Sequence, residues 1–201
     1  MTTNPELELA FNYVSQTNRH VFLTGKAGTG KTTFLHRMRQ EVPKRMAVVA
    51  PTGVAAINAH GQTIHSLFQL PFGTIEPGRA LERSRKFSKK KINLLRGLDL
   101  LVIDEVSMVR ADVLDGIDEV LRRFRDSGEP FGGLQLLMIG DLHQLSPVVR
   151  DDERETMAKH YASPFFFASQ ALNRGSTVTI ELQKIYRQAD PVFVDLLNRV
   201  R

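Results

Sequence analysis

The 201-residue chain contains no cysteine, which excludes a disulfide framework, a thiolate metal site and a cysteine nucleophile. No stretch approaches the roughly 18 consecutive apolar residues of a membrane-spanning helix. The N-terminal MTTNPELELAF lacks the basic segment and long apolar run of a secretory signal. These absences read as an intracellular, cytoplasmic protein with no membrane partner. The six histidines form no convincing metal-ligand set, and His60 and His65 read as loop packing or a substrate contact. No internal repeat or low-complexity linker is present. At 42% hydrophobic, the chain is long enough for one well-buried domain with an appendage.

Acidic residues are nearly missing from one window. Between Arg79 and Arg96 stand eight of the 27 basic residues and one of the 22 acids, Glu82, so the net charge of +5 is local. Such a patch suits a polyanion, with nucleic acid the first candidate. The alternative is a solvated surface helix with Lys and Arg outward and Ile92, Leu94 and Leu95 inward.

Two segments carry chemistry. Gly25 to Thr32 read GKAGTGKT, preceded by the β-branched and aromatic run His20–Thr24 and followed by a helix-forming segment from Lys31. Gly25, Gly28 and Gly30 allow the backbone to turn with positive φ and bring N–H groups to phosphate oxygens. The N-terminal end of the following helix faces the same anion. Lys31 would reach the β- and γ-phosphates, and the Thr32 hydroxyl would ligate magnesium. The nucleotide-binding set is Gly25, Ala27, Gly28, Thr29, Gly30, Lys31, Thr32 and Thr33, and the ligand is ATP with Mg2+. The second segment, LLVIDEVSM, ends a continuous apolar run in adjacent carboxylates. A run of that kind is buried on both faces of a parallel sheet, which places Asp104 and Glu105 at the carboxyl edge where such sheets bind ligands. Asp104 would hold magnesium through water, and Glu105 would be the general base for the attacking water.

The remaining pattern alternates. Strands are expected at His20–Thr24, Met46–Ala50, Leu100–Ile103, Leu134–Ile139 and Thr177–Leu182. Helices are expected from Lys31, over Gly53–Ala59 and Thr63–Gln69, and over Ala111–Arg125, where Val113, Leu114, Ile117, Val120, Leu121 and Phe124 share a face. Pro164–Leu172 reads as a packed strand-turn-helix segment. The fold class that follows is α/β, a P-loop NTPase with a parallel sheet and helices on both faces. At the C-terminus, Val192, Phe193, Leu196, Leu197 and Val200 keep helical spacing with no capping Gly or Asn and no terminating Pro. That reads as the start of a longer chain; a natural helical terminus docked on the domain is the alternative.

Four segments occur in order beside the P-loop: VVAPTGVAAINAHGQTIHSLF, VIDEVSM, IGDLHQLSPV and LQKIYRQAD. As a set they resemble the Pif/RecD-like branch of superfamily 1 DNA helicases, specifically the first RecA-like motor domain, from about residue 21 to the end. The resemblance implies an ATP-driven motor that moves 5′-to-3′ along single-stranded DNA, acts as a monomer, and needs a second RecA-like domain. It also implies the family's settings of DNA repair, recombination and telomere maintenance, with the protein nucleoid-associated when on DNA. Gln144 looks like the family's γ-phosphate sensor, and Arg187 matches its arginine finger, completing with Lys31 and Glu105 the catalytic set. Thr52, Gly53, His65 and Ser66 fall in segments that line the family's single-stranded DNA path. Phe68 reads either as a base-stacking face or as a core aromatic. Residues 70–97 fill the position of the family's small wedge subdomain, in a short form. One departure is plain: Glu8 stands where the family usually has an adenine-recognising Gln, and Gln16 lies too near the loop to replace it. Phosphate binding is thus implied more firmly than adenine preference.

A non-translocating P-loop ATPase switch and a nucleoside or polynucleotide kinase are the competing readings. A kinase has no use for a γ-phosphate relay to a second motor domain. The switch is told apart by whether single-stranded DNA raises ATP turnover.

Overall fold

The structure is a computed structural model that describes residues 4–80, 82 and 86–186. Helix α1 (Pro5–Gln16) opens the described chain. Asn4 caps it, Pro5 sits in its first turn, and Glu6 and Glu8 face its positive end, a start that favours helix on three counts. Then follow β1 (His20–Gly25), α2 (Lys31–Glu41), β2 (Met46–Ala50), α3 (Gly53–Asn58), β3 (Gln62–Thr63) and α4 (Ile64–Phe68). The second half runs α5 (Lys89–Gly97), β4 (Leu100–Ile103), α6 (Ala111–Arg125), β5 (Gln135–Gly140), α7 (Arg154–His160), α8 (Gln170–Asn173) and β6 (Thr177–Leu182).

The six strands form one sheet in the order β3-β2-β4-β5-β1-β6, all parallel. The expected α/β class is therefore the observed one, with six strands rather than five. The additional strand, β3, is two residues long and too short to leave a periodic signal. The strand expected from Leu134 starts one residue later and includes Gly140. Pro164–Leu172 forms a bridge from Phe165 to Arg110, a turn of 3-10 helix and the start of α8.

Alternate residues of the central strands feed two cores. Val21, Leu23, Val102, Leu137 and Ile139 pack with Ala10 and Val14 of α1 and Phe34, Leu35 and Met38 of α2. Phe22, Leu101, Ile103, Leu136 and Met138 pack with α4, α6 and α8. Every residue of β4 and β5 is buried, as expected of strands covered on both faces. In α6, Val113, Leu114, Ile117, Val120 and Leu121 are buried and Phe124 is partly so, the stripe its sequence spacing gives.

Residues 70–80 run along α6. The backbone N–H of Ile75 donates to Asp112 Oδ2 at 2.8 Å, and that of Ala80 to Glu119 Oε2 at 3.0 Å. Among the described residues of the 70–97 insertion there is no strand and hence no hairpin pin. Lys89, Lys90 and Lys91 occupy the first turn of α5, where the dipole disfavours cations. Leu95 is buried, whereas Leu94 is 46% exposed. The inward placement of Leu94 in the surface-helix alternative is thereby corrected: one face of a nine-residue helix accommodates Leu95 and not its neighbour. Arg83, Arg85, Arg187 and the C-terminal apolar pattern lie outside the described residues.

His20 gives the fold a pH dependence. Its Nδ1 accepts the Leu136 N–H at 3.1 Å, and its ring meets Phe131 edge-on at 5.4 Å. Burial lowers its pKa below the ordinary histidine value, so the folded state prefers the neutral ring. A depressed pKa means stability that is full above the unfolded value, about 6.5, and is lost as pH falls toward the folded one. Urea unfolding at pH 7.5 and 5.5 should show a larger acid loss in the parent than in His20→Gln, whose side chain accepts without titrating. Equal losses would remove His20 as the cause.

Candidate functional site

Every candidate site residue within the described chain follows the carboxyl end of a strand, because all six strands point the same way. The loop after β1 is shaped by its glycines. Gly28 and Gly30 have φ of 82° and 96°, a left-handed conformation that side chains with a Cβ seldom adopt. At Gly25 the constraint is space, since a Cβ would stand 2.9 Å from Leu182 Cβ and O and from Thr29 Oγ1. Thr29 is fully buried, its hydroxyl donating to Lys26 O at 2.9 Å. Helix α2 begins at Lys31 with no side-chain cap, which leaves first-turn N–H groups facing the loop without a side-chain acceptor. Ala27, Thr32 and Thr33 are exposed along it. The Lys31 ammonium donates to Gly25 O at 2.6 Å and Lys26 O at 3.0 Å. Loop carbonyls thus hold the charge that phosphate oxygens would take.

β5 alone separates β1 from β4 in the sheet. Two strand spacings put the loop and the carboxylates about 10 Å apart along one edge, a span that a triphosphate with its metal can bridge. The Asp104 N–H donates to Val49 O at 2.8 Å, and the Glu105 N–H to Asp104 Oδ1 at 3.0 Å. Glu105 has φ 51° and ψ 44°, left-handed geometry that costs a non-glycine residue of order 1 kcal/mol. Gly140 allows β5 to end close beside this turn, for a Cβ there would lie 3.0 Å from Val106 Cγ1.

Thr32, Asp104, Glu105 and Gln144 line a single cleft of about 730 Å³, together with Thr52, Arg39 and Met108. Burial raises the pKa of both carboxyls; Asp104 adds to the rise at Glu105, and the Lys31 charge pulls both back. Gln144 is exposed, its backbone N–H held by Asp141 O at 3.0 Å. Among the described residues no cluster of three or more His, Cys, Asp or Glu could hold a metal on its own. One hydroxyl and one carboxylate suit magnesium, which keeps several waters and takes its other ligands from substrate phosphates.

The four candidate DNA contacts fall in two places. Thr52 caps α3, its hydroxyl accepting the Ala55 N–H at 3.2 Å, and lines the same cleft. Gly53 beside it is exposed with open space around it. His65 and Ser66 line a separate hollow of about 390 Å³ with Phe72 and Lys91. The Lys91 ammonium donates to Ser66 O at 2.7 Å. Burial lowers the His65 pKa, with Asp112 opposing and Arg110 assisting. Phe68 is fully buried, as the core reading has it. The exposed aromatic is Phe72, 80% accessible and stacked on His65 at 5.2 Å. Its position in PFG, between two turn-forming residues, was the available signal. Sequence reasoning also missed Leu7 and Tyr186, which border Gly30. Gln16 sits at the far end of α1 from Leu7, donating to Asn12 Oδ1 at 3.4 Å.

The PIF1-like helicase family model matches residues 5–196. The chain is similar to the ATP-dependent DNA helicase PIF1 of Saccharomyces cerevisiae, 38% identical over 194 residues that cover 94% of this chain and 22% of the yeast protein. Against the Homo sapiens helicase of the same name, identity is 37% over 184 residues, covering 90% and 27%. Among solved structures, Bacteroides Pif1 bound to single-stranded DNA superposes with a TM-score of 0.93 at 47% identity, covering 100% of this chain and 46% of that one. The Bacteroides Pif1 complex with ADP-AlF3 and single-stranded DNA gives a TM-score of 0.94 at 47% identity and the same coverage. The chain thus spans about a quarter of the curated relatives and just under half of the solved chains.

Proposed function

The chain belongs to the PIF1-like helicase family, and from that premise we propose that it is the ATP-binding and ATP-hydrolysing first motor domain of a DNA helicase. It couples hydrolysis to 5′-to-3′ movement along single-stranded DNA and to duplex unwinding. The observation that carries this reading is the cleft shared by Thr32, Asp104, Glu105 and Gln144 at the edge of the sheet. A relative nearly half identical in sequence has been captured with ADP-AlF3 and single-stranded DNA, which supports the same pair of ligands here.

The residues divide the work. The loop N–H groups and the Lys31 ammonium take up the triphosphate, with phosphate oxygens replacing Gly25 O and Lys26 O as acceptors. Thr32 and Asp104 would hold Mg2+, which when bound neutralises charge on the phosphates. Glu105 accepts a proton from water as the water oxygen bonds to the γ-phosphorus and the bond to the β–γ bridging oxygen breaks, giving ADP and phosphate. The raised pKa of Glu105 makes it a stronger base than an ordinary carboxylate. Gln144, four residues past the end of the strand between loop and carboxylates, would sense loss of the γ-phosphate.

A second RecA-like domain would occupy the part of the relatives that this chain does not cover, and Arg187 would reach the γ-phosphate at the junction. The motor would work as a monomer in the cytoplasm, on nucleoid DNA. Thr52, Gly53, His65 and Ser66 would hold the DNA backbone at two helix starts, α3 and α4, Ser66 through its hydroxyl because its N–H is donated to Thr63 Oγ1.

Phosphate release tests the reading. In a chain carrying both motor domains, single-stranded DNA should raise ATP turnover at least tenfold, while residues 1–201 alone should displace no strand. Turnover indifferent to DNA would favour the non-translocating switch, and robust unwinding by residues 1–201 would contradict the two-domain motor.

A further inference from the structure

Three segments that carry parts of the site meet at one buried guanidinium. The first runs from the carboxylates: Glu105 leads into the 3-10 turn Val106–Met108, Met108 lines the nucleotide cleft, and Arg110 immediately precedes α6. The second begins at Gln144 in the same cleft, continues without helix or strand through residue 150, and reaches Glu153 at the end of the turn Asp151–Glu153. The third contains His65 and Ser66 and extends past Phe72, stacked on His65, to Thr74 and Ile75.

Arg110 bonds to all three. Its Nη1 donates to Glu153 Oε2 at 3.0 Å and its Nη2 to Thr74 Oγ1 at 3.2 Å. Nε and Nη2 grip the two oxygens of Asp112 at 2.9 and 2.6 Å, and Asp112 in turn accepts the Ile75 N–H. The Thr74 hydroxyl donates to Glu153 Oε1 at 3.3 Å, which closes the ring. The guanidinium is 11% exposed, with carboxylates at 0% and 10%. Stability alone is a weak reason for such a cluster, because taking the charges out of water costs about as much as pairing them returns. Apolar side chains could join the same segments. What they lack is direction: the N–H groups of a guanidinium are fixed in one plane, so its partners must hold definite positions. Movement of any one segment then lengthens bonds to the other two.

Resting on the motor reading above, we propose that Arg110 is a positioning residue for DNA-stimulated hydrolysis. It ties the segment of His65 and Ser66, where DNA would lie, to the two segments that bring Glu105 and Gln144 to the nucleotide. DNA seated on His65 and Ser66 displaces Thr74 and Ile75, and the fork passes that displacement to both sides of the cleft through contiguous bonds. By linkage, a bound nucleotide acts back on DNA affinity through the same bonds. Arg110 itself touches neither ligand.

ATP turnover with and without single-stranded DNA, in a chain carrying both motor domains, tests this through a ratio. Arg110→Lys keeps a charge beside Asp112, yet one ammonium cannot fork among Asp112, Glu153 and Thr74. Turnover without DNA should stay close to the parent's. Stimulation by DNA should shrink about three- to tenfold, the range over which one residue of such a network changes coupling. Thr74→Val is the gentler cut, because it leaves every bond from Arg110 to a carboxylate and removes only the hydroxyl between Arg110 and Glu153. It should shrink the stimulation about twofold, the low end of the same range. A merely structural role would lower both turnovers through loss of folded protein and leave their ratio untouched. If Arg110→Lys does not fold, Thr74→Val alone decides. An unchanged ratio in a folded variant would overturn the assignment. Absence of stimulation in the parent would instead overturn the motor reading, and this inference with it.

Discussion

Lys31→Ala should lose ATP binding, and with it turnover, by a factor of about 100 or more. That is the scale of removing one member of a largely desolvated charge pair, about 3–5 kcal/mol. The effect has two sources. The ammonium would no longer meet the phosphates, and the bonds that now tie Gly25 O and Lys26 O across the loop would vanish. The loop would then have to be ordered by the nucleotide itself. Calorimetric titration with a non-hydrolysable ATP analogue separates binding from chemistry. Unchanged ATP turnover in this variant would end the assignment of the loop.

Glu105→Gln should do the opposite to the two quantities. Binding stays within a few-fold of the parent because the amide keeps shape and hydrogen-bonding capacity. Hydrolysis slows by about 10²- to 10⁴-fold because no proton acceptor remains. Two side effects follow from the raised pKa of both carboxyls. The acid limb of the parent's pH–rate profile should lie above the ordinary carboxylate range, since Glu105 must be ionised to act. Stability should move too. A carboxyl whose folded pKa is raised favours the fold while protonated and loses that contribution as pH rises through the folded value. The parent at neutral pH therefore carries a charge its fold disfavours, and Glu105→Gln should melt higher there. The gap should close as pH falls into the carboxylate range. Equal hydrolysis in variant and parent would remove Glu105 as the base.

Much of this arrangement was legible in the sequence for definite reasons. Gly28 and Gly30 announce a backbone that other residues seldom adopt, and the four apolar residues before Asp104 announce a strand buried on both faces. Parallel strands then put every loop of interest at one edge, so the pairing of Lys31 with Asp104 and Glu105 follows from topology. What escaped was local or long-range. β3 is two residues long, shorter than any period. Helix α1 was not among the expected helices although Asn4, Pro5 and Glu6 mark its start, and its packing through Ala10 and Val14 on the sheet is a long-range arrangement no spacing encodes. Phe68 and Phe72 are four residues apart and equally apolar, but α4 ends at Phe68 in a left-handed turn at Gln69, φ 52°, so the two do not share a helix face and one is buried while the other is in solvent. Leu94 and Leu95 separate because they are adjacent side chains on a short helix with one buried face.

The most direct measurement is a crystal structure of the chain with a non-hydrolysable ATP analogue and Mn2+, the metal located by its anomalous scattering. The expected result is a metal about 2 Å from Thr32 Oγ1, one water away from Asp104, with the γ-phosphate between Lys31 and Glu105. A triphosphate seated away from Lys31, or a metal that Asp104 and Glu105 do not face, would contradict it.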